Sequence, residues 1–349
     1  MMIREIVVEP QAIAWLPWAV SYFFFIGLSF SSVFVGLWIN QKEKNLWAEF
    51  IAITLALSCA IVAPIALTAD LHQPSRIVNF YLNLTPWSWM AWGAIFLPLF
   101  TVAVVGYFLC LLRQVVPQTR LPKVFHLLYW GELNLTRWTT FFRLFSFVMS
   151  VLILIYTTME VYAVEARPLW HHYGLMPLVL FSVLPTAFLL CRFFIQFFNP
   201  TSTQYAFSHL ILFSLLMFIA VLAGIYFSSA QLAGQLTQLW QFSALPLLTL
   251  VCIIALGILI YLPQSQVLNA ITLCIGLCFT WLVRWILVIQ VQSIAKYNAL
   301  MNPYQLTWHV DGAIGILSVF SLWVCIGIVL WHLFSSALSQ MDVTGGKYE

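Results

Sequence analysis

Nine stretches of the chain are apolar almost without interruption, at about 14–39, 48–70, 87–115, 140–164, 173–198, 205–229, 242–263, 267–291 and 312–335. A helix needs about 20 apolar residues to cross a bilayer, so each stretch is long enough to span. Inside lipid the backbone must satisfy its own hydrogen bonds, which only helices and closed barrels achieve. The runs are continuous rather than alternating, which excludes a transmembrane barrel. The expectation is an all-α polytopic integral membrane protein of about nine transmembrane helices, with residues 1–349 as a single transmembrane domain. Composition closes off the other classes. Of the 349 residues 63% are hydrophobic and 7% charged, against roughly a quarter charged in soluble domains. A water-soluble enzyme, a disordered chain and a nucleic-acid binder built on a basic patch are all excluded.

The connections are short; the longest, about 116–139, reads as amphipathic and basic. Orientation follows from where Lys and Arg fall in the loops. Lys42 and Lys44 lie in the first loop, and Arg113, Arg120, Lys123, Arg137 and Arg143 in or beside the third. With nine spans these two loops share a side, and the other side holds Arg4, Arg76, Arg167 and Lys296. The basic side is expected to be cytoplasmic, which places the N-terminus outside and the C-terminus inside. Trp15, Trp18, Trp87, Trp89 and Trp170 fall near the outer ends, as an interfacial belt does, and such a belt also suits docking. The first apolar run has no small-residue cleavage site of the signal-peptide kind. The seven cysteines all sit inside apolar runs with no metal-binding spacing, so structural zinc and iron–sulfur clusters are not expected in this chain.

An ionisable group inside a span is costly and is a functional candidate by default. At 1.5 Å per residue, Tyr22 lies about 10 Å below the outer end of the first span, Tyr156 about 12 Å below that of the fourth and Arg284 about 10 Å below that of the eighth. Glu160 follows Tyr156 by four residues, on the same helix face, and Asp70 closes the second span. Five polar groups on four helices thus share the outer half of the membrane. Each also has a plain structural role open to it: the tyrosines as core residues, Arg284 as a counter-charge for Asp70 or Glu160, and Asp70 as a cap for the loop that follows. A transmembrane haem needs two histidines on facing helices, and only His209 and His332 fall inside spans. Both lie near the cytoplasmic ends, so one haem is geometrically conceivable, but satisfied interfacial histidines explain them and no haem is expected.

Asp70-Leu71-His72-Gln73-Pro74-Ser75-Arg76, followed by Trp87-Ser88-Trp89-Met90-Ala91-Trp92-Gly93, resembles the "DLGRP…MSWG" signature of NrfD/polysulfide-reductase-type membrane subunits. Tyr22-Phe23-Phe24-Phe25-Ile26-Gly27 resembles the first helix of that family. Tyr156-Thr157-Thr158 with Arg167-Pro168-Leu169-Trp170 resembles its "YTG…PLW" stretch. His72-Gln73 stand where the pattern has Gly-Arg, and Thr158 where it has Gly. The resemblance implies an NrfD-like bundle in a bacterial cytoplasmic (inner) membrane, N-terminus periplasmic and C-terminus cytoplasmic. It implies an anchor for an iron–sulfur electron-transfer subunit and a molybdopterin catalytic subunit on the periplasmic side. It further implies a quinol, expected as menaquinol, bound near the outer face, with Tyr22 and Tyr156 beside its head and no haem in the chain.

The leading expectation is therefore a quinol-oxidising subunit. Tyr22 and Tyr156 hydrogen-bond the head group, Glu160 or Asp70 accepts a proton, and Arg284 stabilises negative charge on the head. Two other classes stay open at this point. One is a secondary transporter built on the intramembrane Asp, Glu and Arg, although paired broken helices are not evident. The other is a membrane anchor with no quinol site.

Overall fold

The structure, a computed structural model, describes residues 13–71, 78–120, 123–198, 207–263, 265–294 and 304–338. His72 to Arg76, Arg4, Lys296 and the C-terminal glycines therefore lie outside the described residues.

Among those residues eight helices are long and apolar enough to cross a membrane, and a sharply bent helix pair supplies a ninth crossing if it counts as one span. The helices are α1 (Pro17–Lys42), α2 (Leu46–Asp70), the short α3 (Val78–Leu82), α4 (Trp89–Val115), α5 (Leu135–Tyr162) and α6 (Leu175–Phe198). They continue with α7 (Ser208–Ser228), α8 (Ala230–Phe242), α9 (Leu245–Leu259), α10 (Gln266–Trp285), α11 (Val291–Ser293) and α12 (Ala313–Leu338). A π-helical turn over Ile286–Gln290 joins α10 to α11. The expected multi-pass helical membrane fold is what the chain adopts.

Local chemistry sets the boundaries. Pro17 starts α1, where its missing N–H costs nothing. Asn45 caps α2 by accepting from the amides of Trp47 at 3.0 Å and Ala48 at 3.1 Å. Asn134 does the same for α5 through the amide of Arg137. Pro64, Pro98 and Pro185 lie inside α2, α4 and α6, and such prolines are tolerated where neighbours re-satisfy the freed carbonyls.

Two boundaries differ from the sequence expectation. The fourth span starts at Leu135 rather than about 140, because Trp138, Phe141, Phe142 and Phe145 form a continuous ring ladder over its first turns. The seventh span, expected over 242–263, is only the 15-residue α9. Ahead of it lies α8, which meets α9 at 91°. Leu232, Leu236 and Leu239 make one apolar stripe on α8, and Gln231, Gln235 and Gln238 take other faces. A short helix of that pattern lies in the plane of an interface rather than across it. At 1.5 Å per residue α9 alone covers about 22 Å, less than the roughly 30 Å of a bilayer core.

α1 is the centre of the bundle. Its apolar stretch is 83% buried, against 11% for that of α12, and α2, α5, α6, α10 and α12 pack around it. Residues 116–134 are not a plain loop: Gln118–Arg120 and Lys123–Tyr129 are 3-10 turns folded against the end of α4.

Candidate functional site

The end of the bundle where α1 begins and α2 finishes gathers four of the five sequence candidates. Tyr22 on α1 and Tyr156 on α5 are buried, at 1% and 2% exposure. Glu160, one turn beyond Tyr156, and Asp70, the last residue of α2, are both half-buried. The phenols of Tyr22 and Tyr156 and the Glu160 carboxylate lie within electrostatic reach of one another, and Glu160 also feels Asp70. The Tyr156 hydroxyl lies close to both the Tyr22 hydroxyl and the Glu160 carboxylate, yet the buried Tyr22 hydroxyl and the buried Oε2 of Glu160 make no hydrogen bond of good geometry among the described residues. Leaving such groups unmet costs about 1–3 kcal/mol each, so the corner holds hydrogen-bonding capacity that its own side chains do not use.

Gly93 completes this corner. A Cβ there would run into the hydroxyl and ring of Tyr156. Glycine in the first turns of α4 is what lets the phenol lie flat against that helix. In the sequence Gly93 is one letter of the "MSWG" signature; the structure supplies its physical reason.

Arg284 stands apart from the other four. It is 1% exposed, and its Nε donates to the carbonyl of Phe23 at 3.3 Å and its Nη2 to that of Val179 at 2.9 Å. Gly27 lets the guanidinium approach, with a notional Cβ 3.4 Å from Nη2. Arg284 makes no ion pair with Asp70 or Glu160 among the described residues. Its bond to the Phe23 carbonyl sets it level with Tyr22, but it fills the α1–α6–α10 junction, whereas Tyr22 turns toward α5.

The Arg167-Pro168-Leu169-Trp170 stretch acts on the same end. Within the π turn the carbonyl of Leu287 accepts from the Trp170 indole at 2.7 Å. Arg167 donates to the carbonyls of Val291 at 3.0 Å, Gln292 at 2.7 Å and Ile294, closing the C-terminus of α11. Burial pulls the Arg167 guanidinium below its ordinary pKa. The Gln292 side chain accepts from the amides of Ala14 and Trp15 and donates to the carbonyls of Trp15 and Val288. Trp15 stacks on Trp170 at 5.1 Å. Of the five tryptophans expected in an interfacial belt, Trp18 and Trp170 are buried packing residues, at 9% and 4% exposure, and Trp87 is exposed at 85%. The rings of Trp18 and Trp170 are taken up by contacts within the chain, which leaves them little surface to present to an interface.

Sequence reasoning passed over a second polar cluster at the opposite end of the same helices. Glu49 on α2 is 0% exposed. Arg143 grips it in two bonds of 2.7 Å each, Asn40 donates to it at 2.9 Å, and the Tyr107 hydroxyl donates to the oxygen that Arg143 Nε also reaches. A count of loop charges includes Arg143, yet it lies within α5 and is neutralised there. Nearby on the same side of the bundle, Arg192 donates to the Asn269 side chain at 2.9 Å, and Asn269 donates to Gln196. Glu49 and Arg192 are ionisable groups inside apolar runs, the same signal that singled out Glu160. His209 lies on α7 against the Tyr261 ring, and His332 on α12.

Comparison with known proteins decides the family. The model of the family described as "Polysulphide reductase, NrfD" matches residues 7–296. This chain belongs to the NrfD family. NrfD-family membership agrees with the bundle of membrane-crossing helices and with the motif residues around Asp70, Gly93, Tyr156 and Trp170. The chain is also 34% identical over 340 residues, 95% of each sequence, to a tetrathionate reductase subunit of Salmonella typhimurium (strain LT2).

Proposed function

We propose that this NrfD-family subunit anchors a tetrathionate-reductase-like respiratory complex and oxidises quinol at the Tyr22–Tyr156–Glu160–Asp70 corner. The observation that carries the reading is the pair of unmet buried polar atoms there, the Tyr22 hydroxyl and Glu160 Oε2. A quinol head presents hydroxyl groups that both donate and accept, which is the complement these atoms require. The corner lies at the C-terminal ends of α2 and α5, so the head is met near one membrane face while the tail stays among apolar side chains.

Quinol supplies two electrons and two protons when it is oxidised. Tyr22 and Tyr156 orient the head by hydrogen bonds, and Gly93 keeps the Tyr156 phenol in place. Glu160 accepts a proton at Oε2 and hands it towards Asp70, which lies at the helix end beside the aqueous phase. Arg284 acts from behind α1. It holds the Phe23 carbonyl beside Tyr22 and adds positive potential where the head loses protons. The electrons leave through a periplasmic iron–sulfur subunit to a molybdopterin subunit, on the side where the basic loops are absent.

Two substitutions test the site. Tyr156→Phe removes one hydrogen bond and keeps the ring, a loss of about 0.5–1.5 kcal/mol, so quinol affinity falls about two- to tenfold. Glu160→Gln keeps volume and removes the proton acceptor, so turnover falls more than affinity. Activity with an artificial donor that bypasses this subunit stays intact in both. Unchanged quinol-dependent turnover in both variants would leave the chain as an anchor only.

A further inference from the structure

α1 does not cap itself. Its N-cap residue, Leu16, makes no side-chain bond to the helix, and the amides that lead into a helix need acceptors from elsewhere. Gln292, on the three-residue α11, supplies one from the far end of the chain. Its Oε1 accepts from the amides of Ala14 at 2.9 Å and Trp15 at 3.1 Å, and its Nε2 donates to the carbonyl of Trp15 at 3.0 Å. The same Nε2 donates to the carbonyl of Val288 at 2.8 Å. Two bonds accepted and two donated fill the capacity of a glutamine amide, and the residue is buried.

The end of α5 holds the same segment. α5 finishes at Tyr162, and the chain turns tightly after it. The amide of Arg167 donates to the carbonyl of Val164 at 3.0 Å, and those of Trp170 and His171 donate to the carbonyl of Arg167 at 2.9 Å. From this turn the Arg167 guanidinium reaches the carbonyls of Val291, Gln292 and Ile294. Gln292 is thus held by its main chain from the α5 side and holds α1 with its side chain. A run of rings makes the same connection again. Trp170 stacks on Trp15 at 5.1 Å, Trp15 meets Phe23 at 6.0 Å, and Phe23 meets Tyr22 at 5.2 Å.

We infer that Gln292 is a positioning residue for the head-group site: it fixes the start of α1, and with it Tyr22, against the end of α5, which carries Tyr156 and Glu160. The inference rests on the quinol reading of that corner. The hydrogen bonds of Gln292 go to neither phenol, so it acts on them through the backbone it clasps. Arg167 is the other jaw of the same clasp. Two helices that each bring one phenol to a shared head group need their relative position set within a fraction of an ångström, and this clasp ties their ends together at the face where the phenols lie.

The test is steady-state kinetics of the purified complex with a quinol, beside its activity with an artificial donor that bypasses this subunit and the thermal midpoint of each variant. Gln292→Met keeps the length of the side chain and removes its four bonds. A misplacement on the order of 1 Å costs up to about a hundredfold, so quinol-dependent kcat/KM should fall about tenfold while artificial-donor activity stays. In a Tyr156→Phe background the same change should cost only about twofold, because the hydroxyl whose placement it serves is gone. A residue that merely stabilised the fold would cost the same in both backgrounds. Arg167→Gln should follow the same pattern, and it decides the matter if Gln292→Met does not fold. Equal losses in the two backgrounds overturn the inference. So does unchanged quinol-dependent kcat/KM in folded Gln292→Met, or an equal loss of artificial-donor activity. If Tyr156→Phe and Glu160→Gln themselves leave turnover unchanged, the quinol reading fails and the inference falls with it. If those two lower turnover and Gln292→Met does not, the clasp alone fails.

Discussion

Replacing Gly93 with alanine adds one methyl group to α4 at the place where the Tyr156 phenol lies. The nearest atoms are the hydroxyl oxygen, the ring carbon that bears it and its neighbour. Normal contact distances then require the phenol to retreat by about 1 Å, and a misplacement of that size in a reacting geometry costs up to about a hundredfold in rate. Stability should change far less. Overpacking costs about 1–3 kcal/mol, and alanine returns about 1 kcal/mol of helix propensity over glycine. Gly106, on the same helix, provides the control, because a Cβ there runs into the Phe142 ring just as closely. Gly106→Ala therefore imposes a similar steric insult away from the Tyr22–Tyr156–Glu160 corner. The assay compares quinol-dependent reduction with reduction driven by an artificial donor, alongside thermal melting of each purified complex. Gly93→Ala should lose quinol-dependent activity by one to two orders of magnitude at a melting temperature near that of Gly106→Ala. Gly106→Ala should keep its quinol-dependent activity. Equal activity losses in the two variants, or none in Gly93→Ala, would refute the assignment of Tyr156 to the head-group site.

The buried ion pair gives another measurable contrast. Arg143→Gln strands Glu49 without its charge partner and should cost about 3–5 kcal/mol of stability, while the double variant with Glu49→Gln should recover most of that loss, read as melting temperature in detergent. For topology, a reporter fused after Glu349 should be active only in the cytoplasm, since the basic loops lie at the end where α1 finishes and α2 begins; periplasmic activity would place the Tyr156 corner on the wrong face.

The positions of the spans were legible because the bilayer imposes one rule on every segment: enough apolar length, with the backbone satisfied internally. That rule is blind to helices that do not cross. α8 is amphipathic and rich in glutamine, so a reading by apolar length sees a polar gap where a helix lies. The π turn at Ile286–Gln290 is likewise invisible, and the bond that meets it comes from far along the chain, from the Trp170 indole to the carbonyl of Leu287. The convergence of Tyr22, Tyr156, Glu160 and Asp70 was legible from depth arithmetic and from the four-residue spacing on α5. Arg284 shows the limit of that arithmetic. Depth along an axis says nothing about azimuth, and Arg284 meets α1 on the side of Phe23 and Gly27, whereas Tyr22 meets Tyr156.

Glu49 and Glu160 make the distinction between a structural and a reactive carboxylate concrete. Both are acids near the ends of apolar helices, and α1, α2, α4 and α5 contribute residues around each. Glu49 has its lone pairs filled by Arg143, Tyr107 and Asn40. A buried carboxylate so fully bonded has no capacity left for a substrate, and its charge is already matched by the guanidinium that grips it. Glu160 keeps a buried oxygen without a partner beside a phenol in the same condition, and the charged neighbour it feels is another acid, Asp70. An acid with an open oxygen, a phenol beside it and a second carboxylate nearer the water has somewhere to take a proton from and somewhere to send it. Quinol oxidation asks for that transfer twice per turnover. Intramembrane charge marks both ends of these four helices; of the two carboxylates, it is Glu160, beside the two phenols, that keeps an oxygen outside hydrogen-bond geometry.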